Sequence, residues 1–387
     1  MQAKLENSPQ AYLDNSATTR PCPAAVAAVN QCLTEGFYNP SSVYKPAVEA
    51  FTQLRACREE VLRALHAPEH NLTFTSGGTE ANNLAILGTV ARMRGRQVVA
   101  VSAVEHPSVR ESFQHLAEMG HDVRVIGVDA RGELDWAALE AALNDGASLV
   151  SCMQVNNETG ALLDVARLHA LVNGRALIHV DGVQGFMRVP IDLKYVDLYT
   201  LSGHKIHAPK GTGALAWRKN VRIAPRQIGG GQERGLRSGT ENTPGIAGLR
   251  AAVADMAKMG ADMPHQLMQK KLYMIEQFQK AVPEMLINGP EPETAAPHIV
   301  NISFPGVRGE VMLHALEGMR VYASTGSACS SKKLKVSGVL TAMGIAPARA
   351  EWALRFSLSP HTTMEEIDYA ARCLATLYAQ LKKYARR

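Results

Sequence analysis

Short runs of β-branched and apolar residues alternate with longer amphipathic stretches along the first two-thirds of the chain. The runs 72–76 (LTFTS), 98–103 (VVAVSA), 122–128 (DVRVIGV), 148–155 (SLVSCMQV), 176–181 (ALIHVD) and 198–203 (LYTLSG) read as buried strands, and stretches between them such as 79–94 carry helical periodicity. This alternation predicts β-α-β units and a mostly parallel sheet. Beyond about residue 250 the rhythm changes to a long helical stretch over 245–282, a strand in HIVNISFPG, and helices to the end. A helix is also expected over 23–34. The expected architecture is α/β, with a large domain over 16–250 and a smaller α+β domain made of 1–15 and 251–387. The Gly-rich stretch IGGGQERGLRSGT (228–240) reads as a loop near their boundary.

Composition narrows the class. With 387 residues, 46% of them hydrophobic, the chain exceeds the size at which one core stops growing. The N-terminal MQAKLENSPQAYLDNS has no apolar run, and no later segment offers the uncharged length a membrane span needs, so a cytoplasmic protein without a membrane partner is expected. A net charge of +5, spread along the chain except in SSKKLK and LKKYARR, gives no nucleic-acid footprint. Cys22, Cys32, Cys57, Cys152, Cys329 and Cys373 form no Cys-x-x-Cys pair, which argues against a disulfide framework or structural zinc.

The chemistry collects where the strands end, which is where α/β sheets bind ligands. SGGTEANN after the first strand offers glycines and a threonine at a helix start, suited to a phosphate. Glu105-His106-Pro107, Asn156-Asn157-Glu158, Asp181 with Gln184, and Ser202-Gly203-His204-Lys205 follow later strands. A lysine for a Schiff base, a carboxylate for a pyridinium nitrogen, a flat group to stack and a phosphate cradle are together what pyridoxal 5′-phosphate (PLP) requires. His204 and His207 flank no carboxylate ligand, so no metal site is read there. Cys329, in the Ser/Gly/Ala-rich STGSACSSKKLK and close to lysines that favour its thiolate, is the candidate nucleophile; a stretch so rich in small residues is expected to move.

In order, YLDNSATT, TSGGTEANN, EHPS, NNETG, HVDGVQ, SGHKIHAPKG, GGGQERGLRSGTEN, STGSACSS and LRFSLS resemble the motifs of the PLP-dependent cysteine desulfurases of the class V aminotransferase family, the longer-loop group among them. The resemblance runs from residue 12 to about residue 360. It implies a fold-type I PLP-dependent transferase, acting as a homodimer whose sites borrow residues from each other. Lys205 is then the lysine that carries the cofactor, His106 stacks on its ring, Asp181 holds the ring nitrogen, and Asn157 and Gln184 contact its phenolic oxygen. Gly78, Thr79, Ser202 and His204 hold the phosphate, with Thr240 reaching in from the partner, and Arg355 takes the substrate carboxylate. The implied reaction converts L-cysteine to L-alanine and leaves sulfur as a persulfide on Cys329, for a sulfur-acceptor protein serving iron–sulfur cluster assembly, thio-cofactors or tRNA thiolation. A selenocysteine lyase or another fold-type I aminotransferase is the alternative. No C-terminal extension of the kind that docks an iron–sulfur scaffold in some members follows the last helix, so docking by that route is not expected.

Overall fold

The computed structural model describes residues 9–326 and 336–385. A two-residue strand, β1 (Ala11–Tyr12), leads into helices α1 (Pro23–Thr34) and α2 (Lys45–Ala64). Strands and helices then alternate: β2 (His70–Thr75), α3 (Gly78–Val90), β3 (Val98–Ser102), α4 (Pro107–Glu118), β4 (Asp122–Ile126), α5 (Trp136–Asn144), β5 (Ala147–Met153), α6 (Val165–Val172), β6 (Leu177–Asp181), β7 (Leu198–Ser202) and β8 (Gly213–Arg218). After a long loop come α7 (Thr243–Lys258), α8 (Met263–Ala281), β9 (Leu286–Asn288), β10 (Ile299–Ser303), α9 (Gly309–Gly318), β11 (Val321–Tyr322), α10 (Gly338–Ala342), α11 (Pro347–Glu351), β12 (Ala353–Ser357) and α12 (Met364–Ala385).

Seven strands form one sheet in the order β2-β8-β7-β6-β5-β3-β4. The pairings from β7 to β4 are all parallel, while β8 runs antiparallel to both β7 and β2. The six strands expected from the apolar runs are present within about two residues at each end. The reversed strand β8 was not anticipated, because GALAWR follows the lysine loop with no helix between them. The sheet is buried on both faces, as parallel sheets are. Val99 and Val101 pack with Leu84, Ile86, Phe113 and Leu116 of α3 and α4, while Ala100 between them joins the opposite core with Val150, Ile178 and Leu249.

The long helical stretch expected over 245–282 consists of two helices, separated at Gly260, whose φ of +77° lies where a helix cannot continue. A three-stranded antiparallel sheet, β12-β10-β9, forms the second layer, with α8 packed on α12. The segment after β1 stitches the two layers together. Asn15 N donates to Ser357 O (3.2 Å) and Thr19 N to His204 O (2.9 Å), so this strip of chain runs between the end of β12 and the turn after β7.

Candidate active site

The carboxyl ends of β5, β6 and β7 and the N-terminus of α3 face one cavity of about 240 Å³. In the parallel register Met153 of β5 sits opposite Asp181 of β6, so both side chains reach the mouth at the same level. Two groups fix the Asp181 carboxyl: Asn82 Nδ2 donates to Oδ2 (2.8 Å) and Val183 N to Oδ1 (2.9 Å). One 3-10 turn, Gly203–Lys205, follows β7 and swings Lys205 back over the cavity. Its Nζ donates to Ser16 O (2.6 Å) and Ala17 O (2.8 Å).

Helix α3 begins at Gly77 with no side-chain cap, which leaves its first N–H groups to a ligand. Gly78 is required by close approach: a Cβ there would stand 2.7 Å from Val183 Cγ2. Ser202 Oγ lies beside the same helix start, 3.9 Å from where a Cβ on Gly77 would be.

Burial sets the protonation states of the imidazoles. His106 is held below its usual pKa by desolvation first and by the Lys205 and Arg110 charges next, against the pull of Asp181. Its Nδ1 accepts from Ser108 N (3.1 Å), which leaves Nε2 as the protonated nitrogen of the neutral ring. His204 is pushed down to about 4, again chiefly by burial, with Lys205 adding to it. The second histidine of the GHKIH stretch turns away: His207 Nδ1 lies 2.8 Å from Arg20 O, and its ring meets His361 edge-on. Glu105, fully enclosed, is pushed up to about 8 by desolvation, with Asp181 a lesser cause. It accepts from Ser102 Oγ (2.5 Å) and Met153 N (2.7 Å) and so clamps the ends of β3 and β5 together.

Arg355 enters the cavity from β12. Its Nη1 donates to Asn157 O (2.9 Å) and its Nη2 pairs with Asp14 Oδ1 (2.7 Å). A guanidinium has five donors, so three remain, and the buried Nε has no partner among the described residues. Asn157 Oδ1 is also buried without one. Gln184 donates from Nε2 to Ser16 O (2.9 Å), the carbonyl that Lys205 also uses.

Gly78, Thr79, His106, Asn157, Asp181, Gln184, Ser202, His204, Lys205 and Arg355 therefore line one cavity. Thr240 does not; it stands exposed on the Gly-rich loop. Cys329 lies outside the described residues. Sequence reasoning missed Ser16, Ala17, Ser108, Met153 and Val183 as lining, and Asn82 and Asp14 as partners of the two key ionic groups. Asn82 carried one usable signal, since it lies one helical turn beyond Gly78 on α3.

Comparison with known proteins accords with this geometry. The family model described as aminotransferase class-V matches residues 11–370. A cysteine desulfurase from Gluconacetobacter diazotrophicus is 39% identical over 378 residues, covering 96% of this chain and 94% of its own. This chain belongs to the class-V aminotransferases, with the cysteine desulfurases. Among solved structures, a NifS-like protein superposes with a TM-score of 0.89 at 31% identity, covering 96% of this chain and 100% of its own. SspA, solved in complex with cysteine, gives 0.79 at 29% identity, covering 91% and 100%.

The desulfurase is a PLP-dependent enzyme, and its cavity fits that cofactor. An uncapped helix start with a neighbouring hydroxyl suits the phosphate, a doubly anchored carboxyl suits the ring nitrogen, and the orphaned Asn157 Oδ1 marks polar surface that lacks its counterpart.

Proposed function

We propose that this desulfurase converts L-cysteine to L-alanine through the residues gathered in that cavity and passes the sulfur to Cys329 as a persulfide. The observation that carries the assignment is the convergence of Lys205, Asp181, His106 and Arg355 on one space. PLP, bound through Lys205, supplies the electron sink that makes the substrate Cα acidic. Asp181, held by Asn82 and Val183 N, keeps the ring nitrogen protonated. The neutral His106 would stack on the ring, and Asn157 and Gln184 would contact its phenolic oxygen. The start of α3 (Gly78, Thr79) with Ser202 and His204 holds the phosphate.

Arg355 binds the substrate carboxylate with its remaining donors, and the Asp14 pair keeps the guanidinium from rotating. Lys205 Nζ removes the proton from substrate Cα and holds it for return to the product. The Cys329 thiolate attacks the substrate sulfur: an S–S bond forms, the Cβ–S bond breaks with its electron pair going to carbon, and Cβ takes a proton to become the alanine methyl. Cysteine plus enzyme thiol thus gives alanine plus enzyme persulfide, with atoms and electrons balanced.

The working form is a homodimer in which Thr240 of the Gly-rich loop completes the other copy's phosphate site. The persulfide then passes to an acceptor protein serving iron–sulfur assembly or tRNA thiolation. We place the reaction in the cytoplasm, where the five described cysteines, all free, stay reduced. Among the described residues no helix is long and apolar enough to cross a membrane.

The test is to incubate the enzyme with L-cysteine, alkylate, and map added sulfur by mass. The expected result is one extra sulfur on the Cys329 peptide, with alanine released; Cys329→Ser should bind cofactor and substrate yet release almost no sulfur. A keto acid in place of alanine, or full sulfide release by Cys329→Ser, would overturn the assignment.

A further inference from the structure

The turn after β6 contains a buried cation that nothing above employs. Residues 182–189 form two successive turns in which Phe186 N bonds Gly182 O (2.8 Å) and Arg188 N bonds Gly185 O (2.9 Å), with Met187 at a φ of +60° bringing the chain round so that Arg188 meets Gln184. The turn is locked from behind. Tyr199 OH donates to Gln154 Oε1 (2.7 Å), and Gln154 Nε2 donates to Val189 O (3.1 Å). Arg188 is 2% exposed, its Nε has no partner among the described residues, and no carboxylate among them pairs with it. Its Nη2 donates to Gln184 Oε1 (2.9 Å).

We infer that Arg188 is a positioning residue for the reaction: an enclosed guanidinium without a counter-ion that fixes the Gln184 carboxamide and sets the charge balance at Lys205 and the cofactor's phenolic oxygen. The inference rests on the roles proposed above for Lys205 and Gln184. The geometry is a continuous chain. Arg188 holds Gln184 Oε1, which orients Nε2 toward Ser16 O, and the same carbonyl receives Lys205 Nζ. An amide oriented this way presents a donor to an oxygen anion, and the guanidinium behind it supplies the compensating charge. A buried cation with no carboxylate is costly unless an anion completes it. Arg188 stands behind Gln184 at the cavity wall, so an anionic cofactor held there would supply that charge across the Gln184 amide.

The charge has a readable consequence. A cation near the lysine-bound cofactor opposes protonation there and keeps the midpoint of that titration low. The groups facing Arg188 leave the reading clean. Tyr199 of β7 is raised far above its ordinary value by burial. His204 and His207 are each pushed down to about 4, and His298 ahead of β10 falls well below its usual value, all chiefly by burial. None of these four titrates between pH about 6 and 9; Glu105, pushed up to about 8 with the Asp181 charge a lesser cause, does, and it is common to every variant compared. Burial brings Arg188 itself down to about 9, so it is a cation at neutral pH.

The experiment follows the visible absorption of the bound cofactor against pH, with cofactor affinity measured alongside, in wild type, Arg188→Met, Arg188→Gln and Arg188→Lys. Both neutral variants should raise the midpoint by about one pH unit and weaken cofactor binding by about tenfold, while Arg188→Lys keeps the wild-type midpoint. An unchanged midpoint in the neutral variants overturns the inference. So does an equal shift in Arg188→Lys, or a shift in only one neutral variant, since packing rather than charge would then be responsible. Borohydride reduction of the wild type separates the two layers: trapping on a lysine other than Lys205 fells the site assignment with the inference, whereas trapping on Lys205 without a midpoint shift fells the inference alone.

Discussion

Two anchors on one carboxyl show how little freedom the individual residues have. Asn82 Nδ2 reaches both Asp181 Oδ2 and Ser108 Oγ (2.9 Å), so a single amide couples the proposed ring-nitrogen partner to the serine beside His106 Nδ1. Asn82→Ala leaves the fold intact and costs about tenfold in kcat/KM, the worth of one hydrogen bond to a charged group, with the cofactor still bound; turnover equal to wild type would show that Val183 N alone suffices. Glu105 yields a pH prediction. Its ordinary pKa of 4.5 rises to about 8 on folding, so between those values the folded chain holds a proton that the unfolded chain has lost. Its contribution to stability is therefore undiminished below about pH 4.5 and is lost as pH climbs toward about 8. Urea midpoints of wild type relative to Glu105→Gln should fall across that window; parallel curves would mean that Glu105 ionises freely. Lys205, Asp181 and His106 were legible because a charged or aromatic residue just past an apolar strand has few structural reasons to be there. Asn82 and Arg188 were not, nor were the partners of Glu105, because a buried polar residue one turn along a helix or beside a strand end shows its partner only when the chain is folded.

Among the elements, the start of α3 carries the most function for its length. Its first turn depends on glycine, since a methyl at Gly78 would meet Val183 Cγ2 at 2.7 Å, and Val183 is locked to Asp181 through its own N–H. Gly78→Ala must therefore shift either the helix start or the β6 turn, an overpacking cost of about 1–3 kcal/mol. Cofactor affinity should drop by about tenfold or more, with the fold kept and the melting temperature lower by a few degrees; unaltered affinity by visible titration would detach this helix from the phosphate. Parallel strands separated by helices were readable from the apolar runs, since each is buried on both faces and so continuous. Strand β8 escaped because its reversal depends on a turn chosen by the packing of residues 206–212. The break at Gly260 escaped because a glycine inside a helical pattern is compatible with either outcome until its φ is known.

At the scale of the whole molecule, a cluster of exposed apolar side chains stands out among the described residues. Val26, Leu33, Phe37, Val43, Tyr44, Val48 and Phe51, all on or between α1 and α2, are each about half exposed or more, with Val43 at 94%. A groove of about 600 Å³ lies between α1, α2 and α7, lined by other residues of the same helices, among them Ala28, Cys32, Ala50 and Leu54. Scattered single exposures are ordinary, but so many within about 25 residues suit a surface covered in the proposed dimer. The Gly-rich loop points to the occupant. Its base is fixed to β2 through Glu233, which accepts from Phe74 N (2.9 Å) and pairs with Arg58 (2.8 Å), while Thr240 is exposed and Ile228 is 88% exposed among the described residues. A loop tethered so firmly yet displaying its tip is suited to a second copy, and a two-fold arrangement lets each molecule complete the other. Wild-type enzyme should sediment as a dimer. Phe37→Glu with Phe51→Glu should yield a folded monomer whose cofactor affinity falls by about tenfold, and Thr240→Ala should lower affinity similarly while leaving the dimer whole. A double variant that sediments as a monomer yet holds cofactor as tightly as wild type would show that each chain builds its phosphate site alone.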